Sequence, residues 1–369
     1  MKRFMAVRYP SRHVMVNRRS LVGGDTPSVK VFDRTAKRRQ RDRAAASDPT
    51  GEHDYLRDHI ARILVDRIED ISRQFPRALE LGAHAGHVFR AIRAQSGLSG
   101  KGGIGGIEHV TQCDFSEKAL LRGIRGSPRR RDEEGGEGDG DGDGDGARVE
   151  AEVHTSHVLV DEEFLPFPPA SFDLVLSNLA LHWVNDLPQA LMEIKQVLKP
   201  DGAFIGTMMG GTTLTELRRC LLLAEQEREG GQSVHTSPAA HVADCGSLLT
   251  AAGFSLPTVD QDTIRINYPN AFVLMEHLQG MGESNAALTR RDRVSRETLL
   301  AAAAAYQAEL YGEADGTIQA TFQVIYMIGW APHENQPKPK PRGSGQARIG
   351  DVTVMHSKPA PASPPRADG

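Results

Sequence analysis

Apolar and polar positions in the middle of the chain follow a pattern that predicts a strand, a helix and a second strand. Residues 172–177 (FDLVLS) form a short and mostly apolar run, as expected for a strand buried on both faces. Over 187–198, apolar side chains recur at helical spacing. The segment KPDG (199–202) ends this helix because proline cannot continue it, and 203–208 is again an extended apolar run. The pattern predicts a βαβ unit of a parallel sheet.

The same reasoning extends to the rest of the chain, where buried strands alternate with amphipathic helices. The further predicted strands are 78–81, 107–113, 158–161, 256–268 and 317–330, and the further predicted helices include 55–72, 214–227, 271–280 and 295–312. Strands that alternate with helices are typical of an α/β fold with a doubly wound sheet. The last two strands, with helices between them, are expected to form a hairpin.

The charge of the chain is unevenly distributed. Residues 1–30 carry seven basic side chains and one acid, although the whole chain has a net charge of −4. A start rich in arginine and poor in acids, without a long apolar stretch, is typical of a mitochondrial transit peptide. We therefore predict a transit peptide over 1–28; the alternative is a disordered basic arm.

Composition and the pattern of predicted elements divide the rest of the chain into further segments. We expect a basic segment and helix over 29–75, a main domain over 76–331 and a disordered tail rich in proline, lysine and glycine over 332–369. Within the main domain, the acidic and glycine-rich stretch 130–148 is expected to be a disordered insertion, although it matches the spacing of a calcium-binding loop. The helices of 270–312 are expected to form an insert on the substrate side, before the last strand.

A second basic segment lies at 31–43, where six of thirteen residues are lysine or arginine. No aromatic residues are interleaved with these charges, and the rest of the chain is acidic, so a solvated helix is favoured over a nucleic-acid patch. Three scattered cysteines give neither a disulfide framework nor a zinc spacing, which suits a reducing compartment.

The strand at 78–81 runs into a turn with the spacing Glu80-x-Gly82-x-His84-x-Gly86, and a helix follows. A glycine-bearing turn before a helix N-terminus lets the backbone approach a polar ligand closely. Polar residues also follow the other predicted strands. They are Asp114 after 107–113, Asp161 and Glu162 at the end of 158–161, and the amide Asn178 after 172–177. Because the carboxyl ends of parallel strands meet in one crevice, we expect these groups to converge.

These motifs resemble those of class I S-adenosylmethionine-dependent methyltransferases. The resemblance implies the fold of that family, a seven-stranded Rossmann-like sheet. By resemblance, the acid after the second strand binds the ribose and the acid after the third binds the adenine. His84 departs from the family pattern, which has glycine there. The implied cofactor-binding residues are Glu80, Gly82, Ala83, Gly86, Asp114, Phe115, Asp161, Glu162 and Asn178.

A narrower resemblance comes from longer motifs. The sequences LHWVNDLPQAL, LAEQEREGG, LMEHLQGMGESNA and ATFQVIYMIGW are similar to those of the mitochondrial complex I assembly factor five family, arginine hydroxylases of methyltransferase fold. The resemblance implies residence in the mitochondrial matrix, on the matrix side of the inner membrane. It also implies a role in complex I assembly and hydroxylation of an arginine in an iron–sulfur core subunit.

The chemistry at the reacting centre stays open at this stage. His182 and Trp183 are candidate catalytic residues, or else a packing pair of the loop. None of the fourteen histidines has an acid two residues later, so the usual signature of a non-haem iron site is missing and no metal site is predicted. Methyl transfer to a protein or acyl-carrier substrate and a non-catalytic assembly chaperone remain as alternatives to hydroxylation.

Overall fold

The computed structural model describes residues 5–9, 12–16, 30–99, 104–126, 153–291, 293–310 and 312–337. The chain divides into a large unit, 1–333, and a small unit, 334–369, of which only 334–337 belong to the described residues. The predicted acidic insertion at 130–148 and most of the predicted tail lie outside the described residues. In the part of the chain that is described, no helix has the length and apolar character needed to cross a membrane.

A seven-stranded mixed sheet forms the centre of the large unit, which confirms the predicted fold class. Its strands lie in the order β5-β4-β3-β6-β7-β9-β8, and β9 runs antiparallel to the other six strands. The strands are β3 (Arg77–Leu81), β4 (His109–Asp114), β5 (His154–Leu159), β6 (Phe172–Asn178), β7 (Leu198–Met209), β8 (Ser255–Tyr268) and β9 (Ile318–Trp330). The order reverses between β3 and β6, so a crevice opens there at the carboxyl ends of the strands.

Two further strands extend the edge of this sheet. β1 (Met5–Tyr9) and β2 (Arg12–Val16) form an antiparallel hairpin, and the backbone of β2 pairs with β5 in parallel. An edge strand leaves backbone groups unpaired, and an added strand satisfies them. No strand was predicted in this part of the sequence. The assignment of 1–28 as a transit peptide stays a prediction.

Helices cover both faces of the sheet. They are α1 (Arg34–Ser47), α2 (Tyr55–Glu69), α3 (His87–Ser99), α4 (Glu117–Gly126), α5 (Leu187–Val197), α6 (Thr215–Glu229), α7 (Val242–Ala251), α8 (Ala271–Gly280) and α9 (Arg296–Ala305). Alternate residues of the central strands enter different cores: Leu79 packs with α5 and α7, whereas Ala78 packs with α2 and α3. A third core joins α6, α8 and α9 to β9.

The predicted insert between the last two strands is present, but its second helix is shorter than expected. α9 ends at Ala305, and a short π-helical turn with a non-helical residue at Ala308 follows it. The predicted helix of 295–312 was therefore too long. Together with α6, this insert forms one side of a groove beside the crevice.

Candidate cofactor crevice and substrate groove

The turn between β3 and α3 brings two segments of backbone into close contact. Gly82 has a φ of +69°, and a Cβ added there would lie 2.1 Å from the Cβ of Ala180. His84 also has a positive φ, 50°, although it stands where the resemblance implies glycine. Its backbone N–H donates to Asp114 Oδ2 at 3.0 Å. The turn therefore keeps its left-handed conformation despite the histidine, at the cost in strain that a side chain adds there.

Glu80 lies behind this turn rather than in the crevice. Its carboxyl accepts the backbone N–H of Val88 at 3.2 Å and the amide of Gln112 at 2.7 Å, and only 1% of the residue is exposed. Burial raises the pKa of Glu80 to about 7. The side chain therefore joins the start of α3 to β4, and its assignment to the cofactor stays a prediction.

Asp114 and Glu162 meet at the carboxyl ends of β4 and β5, and both side chains are fully buried. Arg41 joins them, because its Nη1 lies 3.1 Å from Asp114 Oδ2 and 2.8 Å from Glu162 Oε1. Burial raises the pKa of Asp114. Burial also acts to raise the pKa of Glu162, but the guanidinium groups of Arg34 and Arg41 outweigh it and lower that pKa.

Arg34 provides a second guanidinium at the same place. Its Nη2 donates to Asp161 Oδ1 at 2.6 Å and also to Glu162. The guanidinium carbons of Arg34 and Arg41 lie 4.2 and 4.4 Å from the centre of the Phe115 ring. Cations over an aromatic face are attracted by its quadrupole, so Phe115 stabilises both groups.

The prediction that the basic segment 31–43 forms a solvated helix was wrong for one face of α1. Lys37 and Arg41 are buried, whereas Arg38 and Arg39 are exposed as expected. Positions 34, 37 and 41 lie on one side of a helix, and that side meets the acids of the crevice. The helical spacing of these three cations was the signal in the sequence that sequence reasoning missed.

The acids suit a nucleoside chemically, but with α1 in this place they do not fit one. Ribose hydroxyls need free carboxylate oxygens. Asp114 already accepts from the backbone N–H groups of Ser116, at 2.7 Å, and His84, and from the guanidinium of Arg41. Glu162 accepts from the guanidinium groups of Arg34 and Arg41. The ring of Phe115 is in contact with both guanidinium groups.

Three other predicted cofactor residues make contacts within the scaffold. Asn178 donates to the backbone carbonyl of Arg57 at 3.0 Å and accepts from Thr207 at 3.1 Å, so it joins β6 to α2 and β7. Ala83 is buried, and its N–H donates to the carbonyl of Cys113 at 2.7 Å. Gly86, with a φ of +76°, leaves room for the Gln112 side chain.

The candidate catalytic pair, His182 and Trp183, lies beside the crevice and shares one carboxylate. Trp183 Nε1 donates to Glu283 Oε2 at 2.6 Å, His182 Nε2 lies 3.3 Å from the same oxygen, and Arg57 pairs with the other oxygen. Burial lowers the pKa of His182, and the ammonium of Lys37 lies 3.2 Å from the centre of a Trp183 ring. Glu283 lies within the motif LMEHLQGMGESNA, but the sequence gave it no separate role because nothing in that motif shows that it meets His182 and Trp183.

His182, Trp183 and Glu283 also line the groove, which has a volume of about 240 Å³. The rest of its lining is largely apolar. It includes Met209, Leu217, Leu221, Met275 and Leu278. Ligand sites typically combine such an apolar lining with a few polar groups that fix orientation. This groove is therefore the candidate substrate site.

Comparisons with known proteins agree with this architecture. A family model described as a methyltransferase domain matches residues 79–206. The arginine hydroxylase NDUFAF5 of Danio rerio mitochondria is 44% identical over 327 residues, which are 89% of this chain and 91% of that protein. The corresponding protein of Homo sapiens is 42% identical over 363 residues, 96% and 94% of the two chains.

Solved structures show a weaker likeness. The YcgJ protein of Bacillus subtilis has a TM-score of 0.46 and is 14% identical to this chain. The match covers 74% of this chain and 99% of that one. The relationship over nearly the full length of the mitochondrial proteins is the informative one. On that relationship, the chain belongs to the NDUFAF5 family of mitochondrial arginine hydroxylases.

Proposed function

We propose that this protein is an assembly factor of respiratory complex I that hydroxylates an arginine of an iron–sulfur core subunit. The observation that carries the proposal is the relationship to curated arginine hydroxylases, which extends over about nine-tenths of the chain. The assignment of complex I and of the iron–sulfur subunit rests on the family resemblance of the motifs.

The groove supports a protein side chain as substrate. It is lined by apolar residues that suit the aliphatic part of an arginine, and by the carboxylate of Glu283, which carries the charge that a guanidinium seeks. Glu283 is already paired with Arg57, so its effect on a substrate is a contribution to the local field rather than a free ion pair. Hydroxylation also requires an oxygen-activating group.

We propose S-adenosylmethionine as the cofactor of the crevice. The residues proposed for it are those that the family resemblance gives, with Asp114 toward the ribose and the acids after β5, Asp161 and Glu162, toward the adenine. The carboxylates of Asp114 and Glu162 share one edge of the sheet, which supports the proposal. The guanidinium groups of α1 stand in the way, so binding requires that Arg34 and Arg41 leave the acids.

We place the protein in the mitochondrial matrix, associated peripherally with the matrix side of the inner membrane, after removal of a transit peptide within 1–28. The names of the relatives support the mitochondrial part of this proposal. The proposed partner is the iron–sulfur core subunit, and no nucleic acid is expected.

The test is the mass of that partner subunit, isolated from cells with and without this protein. The proposal predicts that one oxygen atom on one arginine is lost in the deficient cells. A lost methylene group instead would favour methyl transfer. An unchanged mass, with complex I assembly still impaired, would favour a chaperone without enzymatic activity.

A further inference from the structure

Charged groups, rather than apolar side chains, hold α1 against the crevice. The buried residues of this helix are Lys37, Arg41 and Ala44, so its inward face contains a single small apolar side chain. Most surface helices of globular proteins bury an apolar stripe. The ammonium of Lys37 donates to the backbone carbonyls of Gly282 and Ser284 at 3.0 and 2.8 Å. The ion pairs of Arg34 and Arg41 with the acids are the part of this attachment that another polar ligand can replace.

The guanidinium groups are also incompletely satisfied where they lie. Arg34 Nε and both Arg41 Nε and Nη2 are buried without a hydrogen-bond partner. Each unsatisfied buried donor carries a desolvation penalty. The penalty from these donors offsets part of the stabilisation that the ion pairs of α1 provide. Replacing α1 with a ligand therefore costs less free energy.

The segment before α1 has a separate anchor. Phe32 packs edge-on against Trp183, with ring centres 5.3 Å apart, and its backbone N–H donates to Asn185 Oδ1 at 2.7 Å. After α1, the chain turns through Gly51, which has a φ of +85°. The contacts of Phe32 do not involve the acids, so residue 32 can stay attached near Trp183 when the guanidinium groups leave the acids.

We infer that the crevice has two alternative ligands, the guanidinium groups of Arg34 and Arg41 and the nucleoside of the cofactor, so that α1 must withdraw before the nucleoside binds. The same carboxylates serve both: Asp114 and Glu162 pair with arginine in one state and accept from the nucleoside in the other. The inference rests on the proposed function for the choice of nucleoside. It assigns α1 the role of an internal competitor.

Hydrogen exchange on the wild-type protein tests the withdrawal directly. We expect saturating S-adenosylhomocysteine, used as the probe, to raise the exchange of the amides of α1 by about tenfold, since binding shifts the population toward the withdrawn helix. The amides of α5, which lies away from the crevice acids, serve as the internal reference. Bound ligand with α1 amides that keep or gain protection would overturn the inference.

A pair of matched variants tests the competition. In Arg34→Gln/Arg41→Gln, the competing charges are gone, and we expect S-adenosylhomocysteine to bind about tenfold more tightly than to the wild type. Arg38→Gln/Arg39→Gln changes two exposed arginines of the same helix and should bind as the wild type does. Equal or weaker binding by the first variant contradicts the inference; the wild-type exchange experiment decides the matter if that variant does not fold.

The two proposals fail in different ways. If neither the wild type nor the variants bind S-adenosylhomocysteine, both the cofactor assignment and the competition are wrong. If the wild type binds it and α1 stays protected, the competition alone is wrong, and Arg34 and Arg41 belong to the cofactor site itself.

Discussion

Replacing Glu80 with glutamine should change how the stability of the protein depends on pH. Burial raises the pKa of this carboxyl from 4.5 to about 7 in the folded chain. Between these values the folded state holds a proton that the unfolded state has released, so folding stability falls as the pH rises. Below the lower value the group is protonated in both states and has no effect.

The size of the effect follows from the shift. A difference of about 2.5 pKa units corresponds to about 3 kcal/mol of stability lost once the pH is above the folded value. Glu80→Gln keeps the size and polarity of the side chain but cannot ionise. Its Nε2 can bond Gln112 if the amide of that residue turns over, since amide oxygen and nitrogen occupy equivalent places.

The assay is urea unfolding followed by circular dichroism, from about pH 5 to about pH 8, on the wild type and the variant. Other titrating groups behave alike in both proteins, so their difference isolates Glu80. We expect the variant to gain about 2–3 kcal/mol relative to the wild type across this range. Glu227→Gln, at an exposed position of α6, should show no such gain. Parallel pH profiles for the wild type and Glu80→Gln would refute the reasoning.

Two further substitutions probe the turn and the shared carboxylate. Gly82→Ala places a Cβ 2.1 Å from that of Ala180 at a positive φ and should lower the unfolding free energy, measured by calorimetry, by about 3 kcal/mol or more. Gly230→Ala, also at positive φ but with open space around it, should lower it by only about 1–2 kcal/mol. Equal losses would contradict the close approach. Glu283→Gln removes the charge that faces Arg57, so it should lower the unfolding free energy by about 1–3 kcal/mol and change the near-ultraviolet circular dichroism of Trp183. Glu276→Gln, at an exposed position of α8, should do neither. An unchanged near-ultraviolet signal in Glu283→Gln would mean that Glu283 does not hold the indole.

Local patterns in the sequence were sufficient for the sheet and its crevice. The apolar run that became β6 and the turn at Gly82 are set by nearby residues, through burial and backbone sterics. The acids at the ends of β4 and β5 followed from the rule that such ends converge. The family resemblance supplied the function, which these local patterns do not contain.

The occupant of the crevice was beyond the reach of local patterns. Arg41 pairs with Asp114 and Glu162, which lie 73 and 121 positions away along the chain. A run of basic residues is usually solvated, and only the fold shows that one side of α1 meets a set of acids. The same holds for Glu283, which contacts His182 across 101 positions; the motif that contains it does not predict this contact.

The central claim is tested most directly by the mass of the partner arginine. It is measured in cells that lack this protein and then receive either the wild-type or the Asp114→Asn chain. The account predicts that the wild type restores one oxygen atom on that arginine. It also predicts that Asp114→Asn, expressed to the same level and folded, does not, while Arg38→Gln does. Restoration of the oxygen by Asp114→Asn would contradict a role for the crevice, and a methyl group in place of the oxygen would contradict hydroxylation.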